Sequence, residues 1–496
     1  MGLKSWLSVP IARIAMRRFY RAYKDPVASQ LHVMQTLIEE AENTAFGKDH
    51  DFSKINSHAD FMARVPLRDY EALKGYIQRV KEGEENVLWP GLPLYFCKTS
   101  GTTSGTKYIP LTRESLPNHI GSARTALFAY IAETGKADFV DGKMIFLQGS
   151  PVMEKLPSGI PFGRLSGIVA NHVPAYLQKN RMPSFATNCI DDWETKVNAI
   201  ADETSRENMT LISGIPSWVQ MYFEILLKKL NRTNVREVFP NFKLFVFGGV
   251  NFEPYRARFE ELIGDRIDSI ELYPASEGFI AFQDSQRDNG LLLNVDSGIF
   301  FEFVRAEEMG QANPRRYHLG EVELGVNYAL ILSNNAGLWG YSIGDTVKFV
   351  SLDPPKIRVT GRIKHFTSAF GEHVIAEEVE QAMAEAVSKF GLKVNEFHVA
   401  PQVAPASGLP YHEWLVEWEQ VPTNLEEIAL FIDQRMTELN VYYKDLISGN
   451  VLRTLVITSV RRGGFNDYMR SQGKLGGQNK IPRLANDRQC ASVLEC

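Results

Sequence analysis

A chain of 496 residues with 44% hydrophobic and 23% charged side chains has the makings of a large folded core, and its length admits three domain-sized units or one large α/β domain with a smaller one. A net charge of −5 gives no global basic excess, which argues against nucleic acid as a partner. Cys97, Cys189, Cys490 and Cys496 are scattered, with neither a C-x-x-C pair nor a metal spacing, so the chain reads as a protein of the reducing cytoplasm without a disulfide framework.

No apolar run reaches the length that spans a bilayer. Residues 1 to 23 are basic, with Lys4, Arg13, Arg17, Arg18 and Arg21 set among Trp6, Leu7, Ile11, Ile14, Phe19 and Tyr20. Arg13 breaks the apolar core a signal peptide needs, and Trp6 stands where a myristoylation motif has Ser or Thr. An amphipathic helix fits, either on an anionic membrane or packed on the protein's own body. The second placement is favoured, since most amphipathic helices face a core. A helix over 27–45 follows from Val27, Leu31, Val33, Met34, Leu37 and Ile38 at helical spacing.

The most informative segment runs from Lys98 to Lys107, Lys-Thr-Ser-Gly-Thr-Thr-Ser-Gly-Thr-Lys. Gly101 and Gly105 let the backbone turn sharply and approach a ligand. The hydroxyls of Ser100, Thr102, Thr103 and Ser104 add donors beside backbone N–H groups, which makes an anion-binding concavity suited to phosphate. The spacing excludes a Walker A loop, because three residues rather than four separate Gly101 from Gly105, and Thr106 precedes Lys107. Read alone, the segment also fits an ordinary Ser/Thr/Gly surface loop.

Further along, Phe242–Phe247 predicts a buried strand, Glu253–Leu262 a helix and Ser269–Tyr273 a strand, an order that suggests a βαβ unit. Tyr273-Pro-Ala-Ser-Glu-Gly278 then places a carboxylate beside small residues at a strand end, where open α/β sheets bind ligands. Glu277 there could hold Mg²⁺, which prefers oxygen ligands. From 291 to 360 the chain turns β-rich, with strands expected at 291–295, 299–304, 321–326, 328–332 and 346–350. Trp339-Gly-Tyr-Ser-Ile-Gly-Asp345 precedes the last of these, and its carboxylate could accept ribose hydroxyls or simply end a Gly-Asp turn. Helices at 374–389 and 424–439 with strands at 394–402, 412–419 and 451–460 make a compact α+β unit. Thr360-Gly-Arg-Ile-Lys-His365 lies where a hinge would absorb backbone change, and Gly476–Arg483 carries Lys480 on a glycine-rich segment that could swing into a cleft.

Taken in order, these segments resemble the adenylate-forming superfamily, and within it most closely the GH3 acyl–amido synthetases. The residues that carry the resemblance are Thr99-Ser-Gly-Thr-Thr-Ser-Gly105 with Ile109-Pro-Leu-Thr112, Tyr273–Phe279, Phe301-Glu302-Phe303, Asn335–Asp345 and Gly477–Arg483. The resemblance implies a large N-terminal α/β domain with a β-rich subdomain over 1–358. A small mobile α+β domain would follow over 359–496, hinged near 360–365.

It also implies roles for single residues. Ser100, Gly101, Thr102, Thr103 and Ser104 would cradle the phosphates of ATP. Tyr273, Pro274, Ala275 and Ser276 would flank adenine and the acyl carboxylate, Glu277 would place Mg²⁺, and Asp345 would hold the ribose. Arg362 and Lys364 would form the hinge region, and Lys480 would reach the α-phosphate. The implied reaction joins a small carboxylic acid to an amine, such as an amino acid, through an acyl-adenylate. Transfer to a thiol, as in an acyl-CoA or acyl-carrier ligase, and a non-catalytic nucleotide-binding module are the alternatives. Arginines common in the plant enzymes are replaced here by Gly340 and Ser342, and their usual glycine by Pro274, which suggests a bacterial-type member with its own substrates.

Overall fold

The computed structural model describes residues 2–100, 106–172, 179–190, 192–248, 252–363, 366–367, 374–403, 405–448, 451–475, 480–485 and 487–494. The chain divides into two compact units. The first comprises Met1–Gly214, Phe239–Gly249 and Ile267–Arg358; the second comprises Ile215–Val238, Val250–Arg266 and Val359–Cys496.

In chain order the strands up to the second unit are β1 (Tyr95–Ser100), β2 (Thr106–Leu111), β3 (Lys143–Phe146), β4 (Glu154–Lys155), β5 (Pro161–Gly163), β6 (Arg181–Met182), β7 (Met209–Ser213), β8 (Leu244–Gly248), β9 (Asp268–Ala275), β10 (Gly278–Gln283), β11 (Leu291–Leu293), β12 (Ile299–Arg305), β13 (Asn327–Asn334), β14 (Tyr341–Leu352) and β15 (Pro355–Arg362). A small sheet has the order β2-β1-β5-β4. A large one has the order β12-β13-β14-β15-β11-β10-β9-β8-β7-β3-β6.

The large sheet changes character along its width. From β9 to β6 neighbouring strands are parallel, and β7 and β8 are near-continuous apolar runs, as strands buried on both faces must be. The expected strand–helix–strand run is present: β8 and β9 pair in parallel, with the helix Glu253–Ile263 in the connection. From β10 onward the described pairings are antiparallel.

Two expectations need correction. Residues 321–326 form no strand. His318 and Glu321 instead close a capping box around the 3₁₀ turn Leu319–Glu321, and only Leu324 bridges to Phe349. The Trp339–Asp345 segment is not a turn before a strand, because Tyr341 to Asp345 already belong to β14.

The N-terminal helices are tied to this unit. The helix Leu3–Phe19 turns Ser5, Ala12 and Met16 inward and packs on the helix Leu116–Thr134. Asp25 caps the next helix, Pro26–Ala41, through the Ala28 N–H at 2.9 Å. Gln30 on that helix accepts the Phe301 N–H at 2.8 Å and donates to the carbonyls of Val295 and Ile299, so it stitches the helix to β12. Within β12, Glu302 is fully buried between Arg316 and His58. Burial pushes the Glu302 carboxyl up, but Arg316 and His58 outweigh it and hold it below the usual carboxylate range. The Phe301-Glu302-Phe303 motif is therefore a core ion pair flanked by rings.

In the second unit, the short strands β16 (Phe366–Thr367) and β17 (Val374–Ile375) pair with each other. β18 (Val394–Gln402), β19 (Tyr411–Trp418) and β20 (Val456–Val460) form a sheet. The helices Ala376–Phe390 and Leu425–Leu439 cover it, burying Val379, Met383, Ile428 and Ile432 with Phe397 and Trp414. Arg258 draws the excursion 250–266 into this unit by pairing with Glu224 at 3.1 Å, Glu261 at 2.9 Å and Glu419 at 2.7 Å.

Breaking a buried ion pair by deleting one partner leaves an uncompensated charge, so Glu302→Ala should cost about 3–5 kcal/mol in a denaturant titration. A second outcome concerns pH. Burial lowers the pKa of His119 to about 4 from an ordinary 6.5. Its contribution to stability is complete above the ordinary value and is lost as the pH falls toward 4. His119→Gln should therefore remove about 2 kcal/mol of the stability lost between pH 7 and pH 5, read from denaturation of both proteins at the two values.

Candidate functional site

The first unit gathers its candidate residues from β1, β9, β10 and β14. β1 and β2 pair antiparallel with Ser100 opposite Thr106. Gly101, Thr102, Thr103 and Ser104 lie outside the described residues. Cys97 on β1 is fully buried. Burial pushes its thiol well above the ordinary range, and the charge of Glu277 adds to the effect.

Tyr273 to Ala275 end β9, Gly278 begins β10, and Ser276 and Glu277 turn between them. The carboxylate thus sits on a hairpin turn rather than at the mouth of a strand–helix crossover. Three contacts fix this turn. The Phe279 N–H donates to Asn118 Oδ1 at 2.7 Å, and Asn118 Nδ2 donates back to the Phe279 carbonyl at 3.1 Å. Asn334 Nδ2 holds the Glu277 carbonyl at 2.7 Å. Gly278 is closely packed, since a Cβ there would fall 2.4 Å from Ile299 Cδ1 and make that side chain shift.

Tyr273 donates its hydroxyl to Asp345 Oδ2 at 2.8 Å. β9 and β14 are four strand spacings apart in the sheet, roughly 19 Å if it were flat. The contact therefore requires the antiparallel half of the sheet to curl. Both ends of the contact sit beside bulges. On β10, Ile280 is the extra residue between the pairs Phe279–Pro274 and Ala281–Tyr273. On β14, Ile343, Gly344 and Asp345 face the single residue Leu330, and Gly344 takes φ +84° there. Bulges bend a strand and re-aim its side chains.

Tyr273 is buried, while Ala275, Ser276, Glu277 and Asp345 are half-buried and Pro274 is exposed. The structure therefore joins Tyr273 to Asp345 and puts Glu277 on the turn that follows the strand of Tyr273. Sequence reasoning missed Asn118, Asn334 and Asn294, which adds a hydrogen bond to the Phe279 carbonyl at 2.9 Å. Only Asn334 had a signal, since it adjoins the Asn335–Asp345 motif; a lone asparagine in a helix or an apolar strand carries none.

The departure at Gly340 has a steric reason. Gly340 has φ +54°, and a Cβ there would lie 2.7 Å from the Pro66 carbonyl oxygen. The Arg68 N–H donates to the Gly340 carbonyl and the Ser342 N–H to the Arg68 carbonyl, both at 2.8 Å, so the segment around Arg68 occupies that side of β14. Trp339, just before it, is buried with its indole N–H on the Leu88 carbonyl at 3.1 Å.

The second unit holds the remaining candidates. Arg362 is exposed at the end of β15, next to Gly361, whose φ of +146° and close approach to Ala376 leave little room for a side chain. Lys364 lies outside the described residues. Lys480 is exposed, while Ile481 and Arg483 are buried. Arg483 binds Glu396, Glu380 at 3.2 Å and the Phe397 carbonyl at 2.8 Å, and covers the Phe397 ring. Its own carbonyl accepts the Val399 N–H at 2.9 Å, and the Ala485 N–H returns to the Val399 carbonyl at 3.0 Å. Lys480 thus leaves from a run clamped along β18, and its root is fixed.

Comparison with known proteins matches this arrangement over almost the whole chain. The model of the GH3 family N-terminal domain matches residues 15–189 and 165–267, that of the central domain residues 292–362, and that of the C-terminal domain residues 377–489. The chain is 20% identical to the indole-3-acetic acid-amido synthetase GH3.3 of Arabidopsis thaliana, across 94% of this chain and 90% of that protein. It is 21% identical to the jasmonoyl–L-amino acid synthetase JAR4 of Nicotiana attenuata, across 93% and 91%. The solved structure of a GH3.15 acyl acid amido synthetase superposes with a TM-score of 0.77 at 15% identity, covering 95% of this chain and 94% of that one. A 2-hydroxyisobutyryl-CoA ligase in its postadenylation state shares the fold more loosely, with a TM-score of 0.59 at 15% identity over 94% and 90% of the two chains. With its N-terminal, central and C-terminal family models in order along the sequence, the chain belongs to the GH3 family.

Proposed function

We propose that this protein is an ATP-dependent, AMP-forming acyl acid–amido synthetase. The observation that carries the reading is the Tyr273–Asp345 hydrogen bond, one turn before Glu277, in a chain that aligns nearly end to end with amido synthetases. A carboxylate is a poor acyl donor, because its leaving group would be oxide. Attack of one carboxylate oxygen on the α-phosphorus of ATP expels pyrophosphate and leaves a mixed anhydride. The amine nitrogen then attacks the acyl carbon, AMP leaves, and the nitrogen loses a proton to give the amide.

Each step asks something specific of the chain. Asp345, oriented by Tyr273, accepts the ribose hydroxyls, and Tyr273 to Ser276 form the wall beside adenine and the acyl carboxylate. Ser100 and the hydroxyls and backbone of Gly101 to Ser104 take the phosphates. Glu277 offers a hard oxygen donor of the kind Mg²⁺ prefers. The metal when bound neutralises charge on the phosphate oxygens. Lys480, swung from its Arg483 anchor, stabilises the charge that develops on the α-phosphate. Residues 359–496 act as a lid that moves about Arg362 and Lys364 and keeps water from the acyl-adenylate.

The reading is tested by incubating the protein with ATP, Mg²⁺, a panel of aryl, indole, jasmonate-like and fatty acids, and mixed amino acids, with and without coenzyme A. AMP release with an amide product and no need for coenzyme A is expected. A thioester product, or AMP release only with coenzyme A, would reassign the chain to the thiol ligases. Lys480→Ala should slow adenylation about a hundredfold or more while thermal unfolding stays unchanged, because an exposed lysine packs against little. Tyr273→Phe removes one charge-assisted hydrogen bond and should weaken ATP binding about tenfold. Unaltered nucleotide affinity in an Asp345→Ala variant would remove Asp345 from the ribose.

A further inference from the structure

We propose that the N-terminal helix Leu3–Phe19 docks the protein on anionic lipid bilayers, with its apolar face in the interface and its arginines on the phosphate headgroups. The helix is inverted relative to one that serves only its own domain. Small or slender residues, Ser5, Ala12 and Met16, face inward. The large ones face water: Leu3 is 74% exposed, Trp6 65%, Leu7 44%, and Ile11 and Ile14 53% each. At about 100° per residue, these five and Pro10 fall within one arc of roughly 140°. The inward face is already anchored, with the Gly2 N–H on Asp141 at 2.7 Å and the body of the helix on the helix Leu116–Thr134. The expectation that the helix packs on the protein's own body therefore accounts for one face and leaves the apolar one unaccounted for.

The charge on the same segment selects the occupant. Between Gly2 and Lys24 there are six cations, Lys4, Arg13, Arg17, Arg18, Arg21 and Lys24, and no acid, in a chain whose net charge is −5. Arg13, Arg17, Arg21 and Lys24 line an open groove of about 660 Å³ that runs along the helix toward Glu133 and Asp284. Both acids are engaged. Glu133 accepts from Ser285 at 2.7 Å and from the Gln286 N–H at 2.8 Å, and Asp284 accepts from Tyr20 at 2.9 Å and pairs with Lys356 at 2.8 Å. Arginines present forks that match phosphate oxygens.

A second copy of this chain would bring two such cationic surfaces face to face, which disfavours a symmetric dimer through this helix. An apolar strip beside a polybasic groove supplies the two signals that stable attachment to a lipid surface needs. Trp6 adds the aromatic ring that settles at the headgroup level. No helix among the described residues is long and apolar enough to cross a membrane, so the attachment is in the plane of the interface.

Flotation of the purified full chain with vesicles tests this. Equimolar phosphatidylglycerol–phosphatidylcholine vesicles should carry the protein at least about tenfold more than pure phosphatidylcholine, and high salt should release it. Trp6→Ser with Ile11→Ser, and separately Arg13→Glu with Arg17→Glu, should each reduce flotation about tenfold or more. All four side chains are exposed, so thermal unfolding without vesicles should match the parent and rule out misfolding as the cause. Equal recovery on both vesicle types, or flotation indifferent to both double variants, would overturn the proposal. So would a parent that sediments as a dimer and becomes a monomer on Ile11→Ser, which would give the face to a second copy.

Discussion

The hydrogen bond from Tyr273 to Asp345 is the contact on which the rest of the site depends. It joins strands that a flat sheet would hold apart, so it exists only because the antiparallel half of the large sheet curls. The curl has identifiable causes: an extra residue at Ile280, a three-to-one bulge at Ile343–Asp345, and a left-handed Gly344. Around it, the Asn118 fork and the Asn334 bond hold the Ser276–Glu277 turn without a side chain at Gly278. A hairpin turn carries one carboxylate and a bulge places the other; Tyr273 donates to Asp345, and Asn334 holds the backbone carbonyl of Glu277.

The second unit solves a different problem. The role proposed for Lys480 asks for a mobile tip and a fixed root. Arg483 supplies the root, since its guanidinium is buried among Glu380, Glu396 and the Phe397 carbonyl three residues after the exposed lysine. In the Gly-Gln-Asn-Lys-Ile-Pro-Arg pattern, Ile481 and Arg483 are thus buried and structural, while Lys480 is exposed. The Phe301-Glu302-Phe303 motif is wholly structural, a buried ion pair that ties β12 to Arg316 and His58.

Much of this was legible in the sequence. The apolar run of β8, the alternation of helices and strands after 374 and the order of the motifs led to the fold and the family. What stayed illegible depends on partners distant in sequence. Glu321–Val326 reads as a strand by residue type, but Glu321 is taken by the His318 cap and the run loses its ladder. Asp345 reads as a turn because Gly-Asp pairs usually are turns, and nothing local announces that Leu330 opposes three residues. Asn118 lies more than 150 positions from the backbone it holds. The N-terminal helix was readable as amphipathic, but which face turned outward was not, since that depends on the small residues that fit against the helix Leu116–Thr134.

The central claim is that this chain activates a carboxylate as an adenylate. Carboxylate-dependent exchange of labelled pyrophosphate into ATP, measured with no amine present, tests it most directly, because only reversible acyl-adenylate formation produces that signal. The account predicts exchange with at least one acid class, abolished when the acid is omitted. A protein that binds ATP yet shows no exchange across aryl, indole, jasmonate-like and fatty acids would contradict it.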